Sequence, residues 1–362
     1  MKRLEDVLIY HDKKYYSTFP SIVTRPDGEL LVTFRRAPDR RLFFGDRHTH
    51  SDPNSYLVLV RSRDLGRTWS KDPELIYAHP MGGSQDPCMV QLDDGSLLVT
   101  SYLWALLPEE SLPRSNPPAK KWAYGWAFTF MGGYLMKSAD AGRTWTGPIV
   151  PPVLKGQAQH FPGIPITAHN RGAMVQGRDG RLYWISQYAA KKNPSQIGIA
   201  FLWSEDRGLT WKDGGPVALD DKVEFNETSV VETPKGDLVA FVRTGGFDDH
   251  GVVVRSKDKG KTWSKWKDMG VIGHPHHAVQ LPDGRFFLLY GYRHKPYGIR
   301  ARLLDPECTD FRGEELVIRR DGGGGDIGYP WATVLPDGRV LVTYYFNIKD
   351  GTRHIAGTFV KV

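Results

Sequence analysis

The pattern Ser-x-Asp-x-Gly-x-Thr-Trp is written four times along this chain, as SRDLGRTW from Ser62, SADAGRTW from Ser138, SEDRGLTW from Ser204 and SKDKGKTW from Ser256. A second phrase interleaves with it. Apolar strands flank a tight turn in RPDGELLV, LDDGSLLV, GRDGRLYW, TPKGDLVA, LPDGRFFL and LPDGRVLV, with turn glycines at Gly28, Gly95, Gly180, Gly236, Gly284 and Gly338. Asp-Gly and related pairs tolerate the positive φ that a tight hairpin requires. Self-similarity of this kind marks a repeat architecture. The unit reads hairpin, third strand, box, fourth strand, and LLDPECTDF is a worn fifth box in which Phe311 replaces the tryptophan. Six such units in a ring make a six-bladed β-propeller, an all-β fold that leaves only short, protected edges. The last unit, RVLVTYYF and HIAGTFV, is one strand short, and the N-terminal DVLIY is expected to complete it. Residues 1–362 are expected to form a single propeller domain, with an insertion at about 103–133 in the second blade.

Composition agrees and narrows the partners. Gly 39 and Pro 25 supply turns, Trp 11, Tyr 16 and Phe 16 supply strand-packing rings, and no window keeps a helical period for long. The net charge is +7, but the basic residues are scattered. A nucleic-acid footprint needs them clustered, so no nucleic-acid partner is expected. A mild positive field suits a small anionic substrate better. Cys88 and Cys308 are far apart and lack metal-ligand spacing, so neither a disulfide framework nor a metal is expected. The start, MKRLEDVLIYHDKKYY, has no apolar segment of leader or membrane-span length, which points to a cytoplasmic protein without a membrane partner. No cofactor is expected, and oligomeric state is not legible.

The boxes are expected to be structural staples. Their Asp and Ser can bond turn amides and their Trp can bury against the blade, so chemistry belongs elsewhere. In a propeller it belongs at the mouth of the central channel. The repeat aligns the units without any homologue. Nine residues before each turn glycine stand Phe19, Asp86, Arg171, Glu227, Pro275 and Tyr329; seven after it stand Arg35, Tyr102, Gln187, Arg243, Gly291 and Tyr345. In a hairpin both positions lie at one end of the blade, so both sets face one funnel. Gln85, Asn170 and Asn226 lie one step further out, and His276 follows Pro275, flanked by His274 and His277. Charged groups near such an axis are paired or functional.

Boxes of this kind on six units resemble those of the sialidase (neuraminidase) superfamily of glycoside hydrolases, and the resemblance covers nearly the whole chain. It implies a glutamate opening a fourth-blade strand and an arginine ending the next, which FNETSVVETPKGDLVAFVRTG supplies as Glu227 and Arg243. It implies a nucleophilic tyrosine opening the last blade, supplied by Tyr329 in DIGYPWATV, and a fifth-blade arginine, either Arg293 or Arg300 in YRHKPYGIRARL. A sialic acid carries a carboxylate on its reacting carbon. A carboxylate nucleophile would be repelled there; a neutral phenol activated by Glu227 would not. Arginines clamp the substrate carboxylate through bidentate bonds. The acid/base expected from the first blade falls in FFGDRHTHSDPNSY, with Asp46 first, then Asp52 and His48. The chain departs from the superfamily in STFPSIVTRPDG, where Thr18 stands in place of the first arginine of the triad; Arg35 on the paired strand is its expected substitute.

The reading is therefore an exo-acting, retaining glycoside hydrolase that releases a terminal acidic sugar. Tyr329, Glu227, Asp46 and His48 are the catalytic candidates. Arg243, Arg293, Arg300, Arg35, Asp86, Gln85, Arg171, His276 and Trp104 are the carbohydrate-binding ones. Trp104 belongs to the Pro-rich insertion, which also holds Trp122 and Trp126 and is expected to wall the funnel. Two alternatives stay open. One is a histidine-driven rhamnosidase or lyase acting on uronate-linked sugars, and the other a glycan-binding propeller without turnover.

Overall fold

The computed structural model describes residues 1–44, 51–114, 120–121, 125–348 and 350–362. Its strands form six antiparallel sheets, each built from one repeat. The first blade is Tyr15–Thr24, Leu30–Pro38, Tyr56–Ser62 and Glu74–Tyr77 from inside outwards. The fourth is Glu224–Glu232, Leu238–Gly245, His250–Ser256 and Lys267–Ile272. The sixth has Gly328–Val334, Val340–Phe346 and His354–Lys361 from the C-terminal segment, and the N-terminal strand Lys2–Tyr10 adds to its outer edge. The expected closure is present. It joins the two chain ends in one sheet, so the ring is locked by backbone hydrogen bonds rather than by side chains alone.

The core is divided among the joints between neighbouring blades. Successive residues of a strand point to opposite faces, and here both faces are covered. Leu97 and Val99 pack towards the first blade with Leu31 and Leu59, while Leu98 packs towards the third with Leu182 and Trp184. Val340, Val342 and Tyr344 meet the fifth blade, whereas Leu341 and Tyr345 meet the first. Burial on both faces is why the hairpin strands read as nearly continuous apolar runs instead of alternating.

The boxes staple these joints. In the first, Ser62 Oγ donates to Asp64 Oδ1 (2.8 Å) and accepts from the Gly66 amide (2.9 Å), while the Thr68 amide and hydroxyl both donate to Asp64 (2.9 and 2.6 Å). The same bonds recur around Asp140, Asp206 and Asp258. The box glycine has positive φ and abuts the preceding blade: a Cβ on Gly260 (φ +88°) would lie 2.1 Å from Phe201. In the worn copy Asp305 still accepts from the Thr309 amide (2.7 Å) and hydroxyl (3.0 Å). Among the described residues, no helix is long and apolar enough to cross a membrane.

Candidate active site

Inner strands converge on the axis, and three of them bulge where they reach the mouth. The pairing slips between Thr18 and Ser21, between Phe225 and Thr228, and between Gly328 and Trp331. Each slip spans the residue nine before the turn glycine, namely Phe19, Glu227 or Tyr329. A bulge inserts one residue, bends the strand and re-aims a side chain. Phe19 and Tyr329 both adopt left-handed φ, +58° and +51°, a conformation that bulky residues rarely hold without a surrounding structure that enforces it. Their rings meet edge to face at 4.7 Å.

At the centre, the Tyr329 hydroxyl donates to Glu227 Oε1. Arg243 Nη1 donates to Glu227 Oε2 (2.6 Å) and to the Tyr329 oxygen (3.1 Å). The Arg293 guanidinium stands 5.3 Å from the Tyr329 ring centroid, held by the Ile327 carbonyl (3.1 Å) and the Tyr345 hydroxyl (3.0 Å). Burial and the Glu227 charge push the Tyr329 phenol well above its ordinary pKa, with Arg243 pulling the other way. The phenol is therefore neutral and loses its proton only to an adjacent base.

A second phenol–carboxylate pair lies alongside. The Tyr102 hydroxyl donates to Asp86 Oδ2 at 3.0 Å. Asp86 is 2% exposed and its Oδ1 has no hydrogen-bond partner among the described residues. Burial, then the Glu227 charge, raises its carboxyl to about 6 against the pull of Arg171 and Arg35. Arg171 donates to Cys88 Sγ (3.0 Å) and the Pro20 carbonyl (2.9 Å), with its guanidinium 5.4 Å from the Tyr329 ring. Arg35 is wholly buried, 5.6 Å from the Tyr16 ring centroid; burial is the largest influence on it and lowers its pKa. Asp86 and Tyr102 are among the groups whose charge acts on it.

Three expected residues are not brought to this cluster. Arg300 turns to the outer part of its blade, bonded to the Arg319 carbonyl (2.5 Å) and 3.7 Å from Glu315. Gln85 is 1% exposed and its side-chain amide faces Ser55 and the Gly83 carbonyl. His276 is sealed in the joint between the fourth and fifth blades beside Gly251 and Tyr290, and burial lowers its pKa to about 3. Of its neighbours, His277 stacks on Trp331 at 4.2 Å and His274 Nε2 lies 3.2 Å from Asp249 Oδ1. Asp46 and His48 lie outside the described residues, as does Trp122. Asp52, the other carboxylate expected as acid/base, is tied to Arg40 and to the Asn54 amide (2.8 Å).

Beside Glu227 opens a cavity of about 270 Å³. Trp104 and Phe130 form one wall, on the extended strands Leu97–Pro108 and Trp126–Ser138 of the second blade. Gln157, His160 and His169 line it from the connection into the third blade, and Gln187 from its second strand. Tyr102 and Gln187 stand at the repeat positions seven after the turn glycine, which is the signal that marks them. Gln157 and His160 lie in an irregular segment that no repeat aligns. A further unanticipated residue is Asp326, which accepts from Tyr16 (2.8 Å), Tyr345 (2.8 Å) and Arg353 (2.9 Å) and so ties the first and sixth blades at the mouth. Among the described residues, no cluster of His, Cys, Asp and Glu has the arrangement of a metal site.

Residues 114–342, more than half of the chain, match the model of a family described as a BNR repeat-like domain. A sialidase of Bacteroides fragilis (strain YCH46) is 25% identical over 264 residues, covering 68% of this chain and 42% of that protein. The chain thus spans less than half the length of this curated relative. Among solved structures, a protein of unknown function from Dyadobacter fermentans DSM 18053 superposes with a TM-score of 0.93 at 49% identity, over 100% of this chain and 99% of that one. The Hadza microbial sialidase Hz136 superposes with a TM-score of 0.66 at 20% identity, over 96% of this chain and 66% of that one, a likeness of fold alone.

Proposed function

On the premise that the chain belongs to the BNR repeat-like family and folds as a sialidase-like six-bladed propeller, we propose that it is an exo-acting, retaining glycoside hydrolase that releases a terminal acidic sugar. The observation that carries this is the hydrogen bond from Tyr329 to Glu227, with Arg243 bonded to both. Tyr329 Oη attacks the anomeric carbon as its proton passes to Glu227 Oε1, and the glycosidic C–O bond breaks towards the leaving group. Water then gives its proton to the residue that protonated the leaving oxygen and cleaves the tyrosyl–sugar bond, Glu227 returns the proton to the phenol, and configuration is retained. A neutral phenol approaches an anionic sugar without charge repulsion. Arg243 and Arg293 offer the guanidinium donors that hold the anionic group. The proton for the leaving oxygen comes from the first-blade acid/base that the resemblance implies, with Asp46 the first candidate and Asp52 and His48 behind it.

A fluorogenic panel of sialosides, uronides, rhamnosides and arabinosides tests the reading. Turnover of an acidic glycoside by the wild type, and none by Tyr329→Phe, supports it. Binding of acidic glycans with no product over long incubation turns it into a glycan-binding propeller. The histidine-driven alternative rests on His48 and His276. His276 is sealed between blades, and His48 is outside the described residues.

A further inference from the structure

Arg293 follows directly on the fifth-blade strand Phe286–Tyr292, just past the end of its ladder. An arginine in such a place spreads over many rotamers, and ordering it is entropically costly. The Arg243 charge lies close enough to act on it and disfavours its charged form. Two guanidiniums set to meet one anion repel each other until the anion arrives. Something must therefore hold Arg293 beside Tyr329, where its guanidinium stands 5.3 Å from the ring centroid.

The hold runs back to Asp326. The Tyr345 hydroxyl donates to Asp326 Oδ1 at 2.8 Å. A phenol has one proton, so the bond from Arg293 Nη2 at 3.0 Å falls on a lone pair of the same oxygen. Burial first, and then the Asp326 charge, push the Tyr345 phenol well above its ordinary pKa, so it keeps that proton. Arg293 Nε donates to the Ile327 carbonyl at 3.1 Å. These two bonds engage the Nε–Nη2 edge of the guanidinium, and neither uses Nη1. Asp326 is itself firmly held: its Oδ2 accepts from the Tyr16 hydroxyl (2.8 Å) and Arg353 Nε (2.9 Å), and its carbonyl from Asn347 Nδ2 (2.9 Å). The glycine run before it is tied to the fifth and sixth blades, by the Gly322 amide on the Tyr297 carbonyl (3.1 Å) and the Gly323 amide on the Asn347 carbonyl (3.0 Å).

We propose that Asp326 and Tyr345 are positioning residues that fix the Arg293 guanidinium beside Tyr329 before a ligand binds, so that an anionic group meets a donor already in place. The chain of contacts has a single direction: the carboxylate accepts, the phenol donates to it and accepts from Arg293, and the guanidinium donates. Asp326 also acts through its charge, which favours the charged form of Arg293 where Arg243 opposes it. A donor ordered in advance loses no freedom when the anion arrives, and its bond then contributes fully to affinity. Neither Asp326 nor Tyr345 needs to touch the ligand for this. The inference rests on the reading that the mouth binds an acidic sugar.

The test is independent of turnover. Methyl α-sialoside and methyl β-glucuronide are titrated calorimetrically into Tyr329→Phe, with and without Tyr345→Phe, which removes the relaying oxygen and keeps the ring. The motion of Arg293 is followed without ligand by ¹⁵N relaxation of its Nε–H, assigned through Arg293→Gln. At least one glycoside is expected to bind, and Tyr345→Phe should weaken it about tenfold and turn the Arg293 Nε–H from rigid to mobile. In an Arg293→Gln background Tyr345→Phe should add nothing, because its effect runs through that guanidinium. Tyr16→Phe removes another bond to the same carboxylate and should leave affinity within about twofold. Should Tyr345→Phe fail to fold, Asp326→Asn, which leaves one side-chain oxygen for three donors, carries the same expectation. Unchanged affinity, a rigid Arg293 in Tyr345→Phe, additive losses in the double variant or an equal loss from Tyr16→Phe overturns the proposal, as does failure of both glycosides to bind. The expected binding and relaxation results without hydrolysis of any acidic glycoside by the wild type leave the positioning role standing and remove the hydrolase reading instead.

Discussion

Tyr329 and Glu227 are 102 residues apart in sequence, lie on the inner strands of the sixth and fourth blades, and are joined by a hydrogen bond from phenol to carboxylate across the mouth of the propeller. Arg243 donates to both, so one guanidinium holds the phenol and the carboxylate together. In the proposed reaction the pair would serve as nucleophile and base, already in contact. Tyr329→Phe keeps the ring, its contact with Phe19 and the left-handed backbone, and removes only the reacting oxygen. Turnover of the acidic glycoside is expected to fall at least about a thousandfold with little change in Tm. Glu227→Gln is expected to lower kcat by about 10²–10⁴. Steady-state kinetics beside thermal melts check both; an active Tyr329→Phe would remove the assigned role.

The two fifth-blade arginines separate cleanly. Arg293 faces Tyr329, while Arg300 is anchored to the Arg319 carbonyl. Loss of a charge-assisted bond to an anionic ligand weakens binding about ten- to a hundredfold. Arg293→Gln is expected to raise KM for an acidic glycoside by that amount. Arg300→Gln should leave KM within about twofold and show its effect in Tm. Equal KM effects from the two would contradict the geometry.

Asp86 makes stability depend on pH. The unfolded chain releases this proton near the ordinary value of 3.8, whereas burial holds it in the folded chain to about 6. Between those values the folded state binds more protons, so the contribution is full below the lower value and is lost as pH rises through the upper one. Asp86→Asn keeps an acceptor for Tyr102 and cannot ionise. It should match the wild type near the lower end of that window and become more stable by an amount on the order of a few kcal/mol at neutral pH. Melting curves of both proteins across the window measure the difference; a constant difference would show that Asp86 does not titrate there.

The box carboxylates act in the reverse sense. Burial raises Asp64, but bonds from Thr68 and Ser62 outweigh it and hold the carboxyl down at about 2. Its stabilising contribution is present above the unfolded value of 3.8 and disappears as pH falls through the folded one. Asp64→Ala is expected to lower Tm by a few degrees at neutral pH with kcat/KM within about twofold, because the box staples a blade joint far from Tyr329. A large fall in kcat/KM with an unchanged melt would assign the box a role in the chemistry.

Much was legible before any coordinates. The turn glycines and boxes set the number of blades, the strand order within each, and the closure of the last blade by the N-terminal strand, because hairpin chemistry and strand period are local properties. Counting from the glycines also named Glu227, Tyr329, Arg243, Asp86, Arg171 and Tyr102 as neighbours at one end of the ring, since repeated units present equivalent positions to a common axis. Other matters depended on which groups meet once the blades are wound together. Only the tertiary structure decided that Arg293 rather than Arg300 faces Tyr329, that Asp326 ties two blades there, and that Gln157 and His160 line the cavity. The reason is physical: a repeat specifies position along a strand, whereas bulges, rotamers and the angle between adjacent sheets specify which side chains touch.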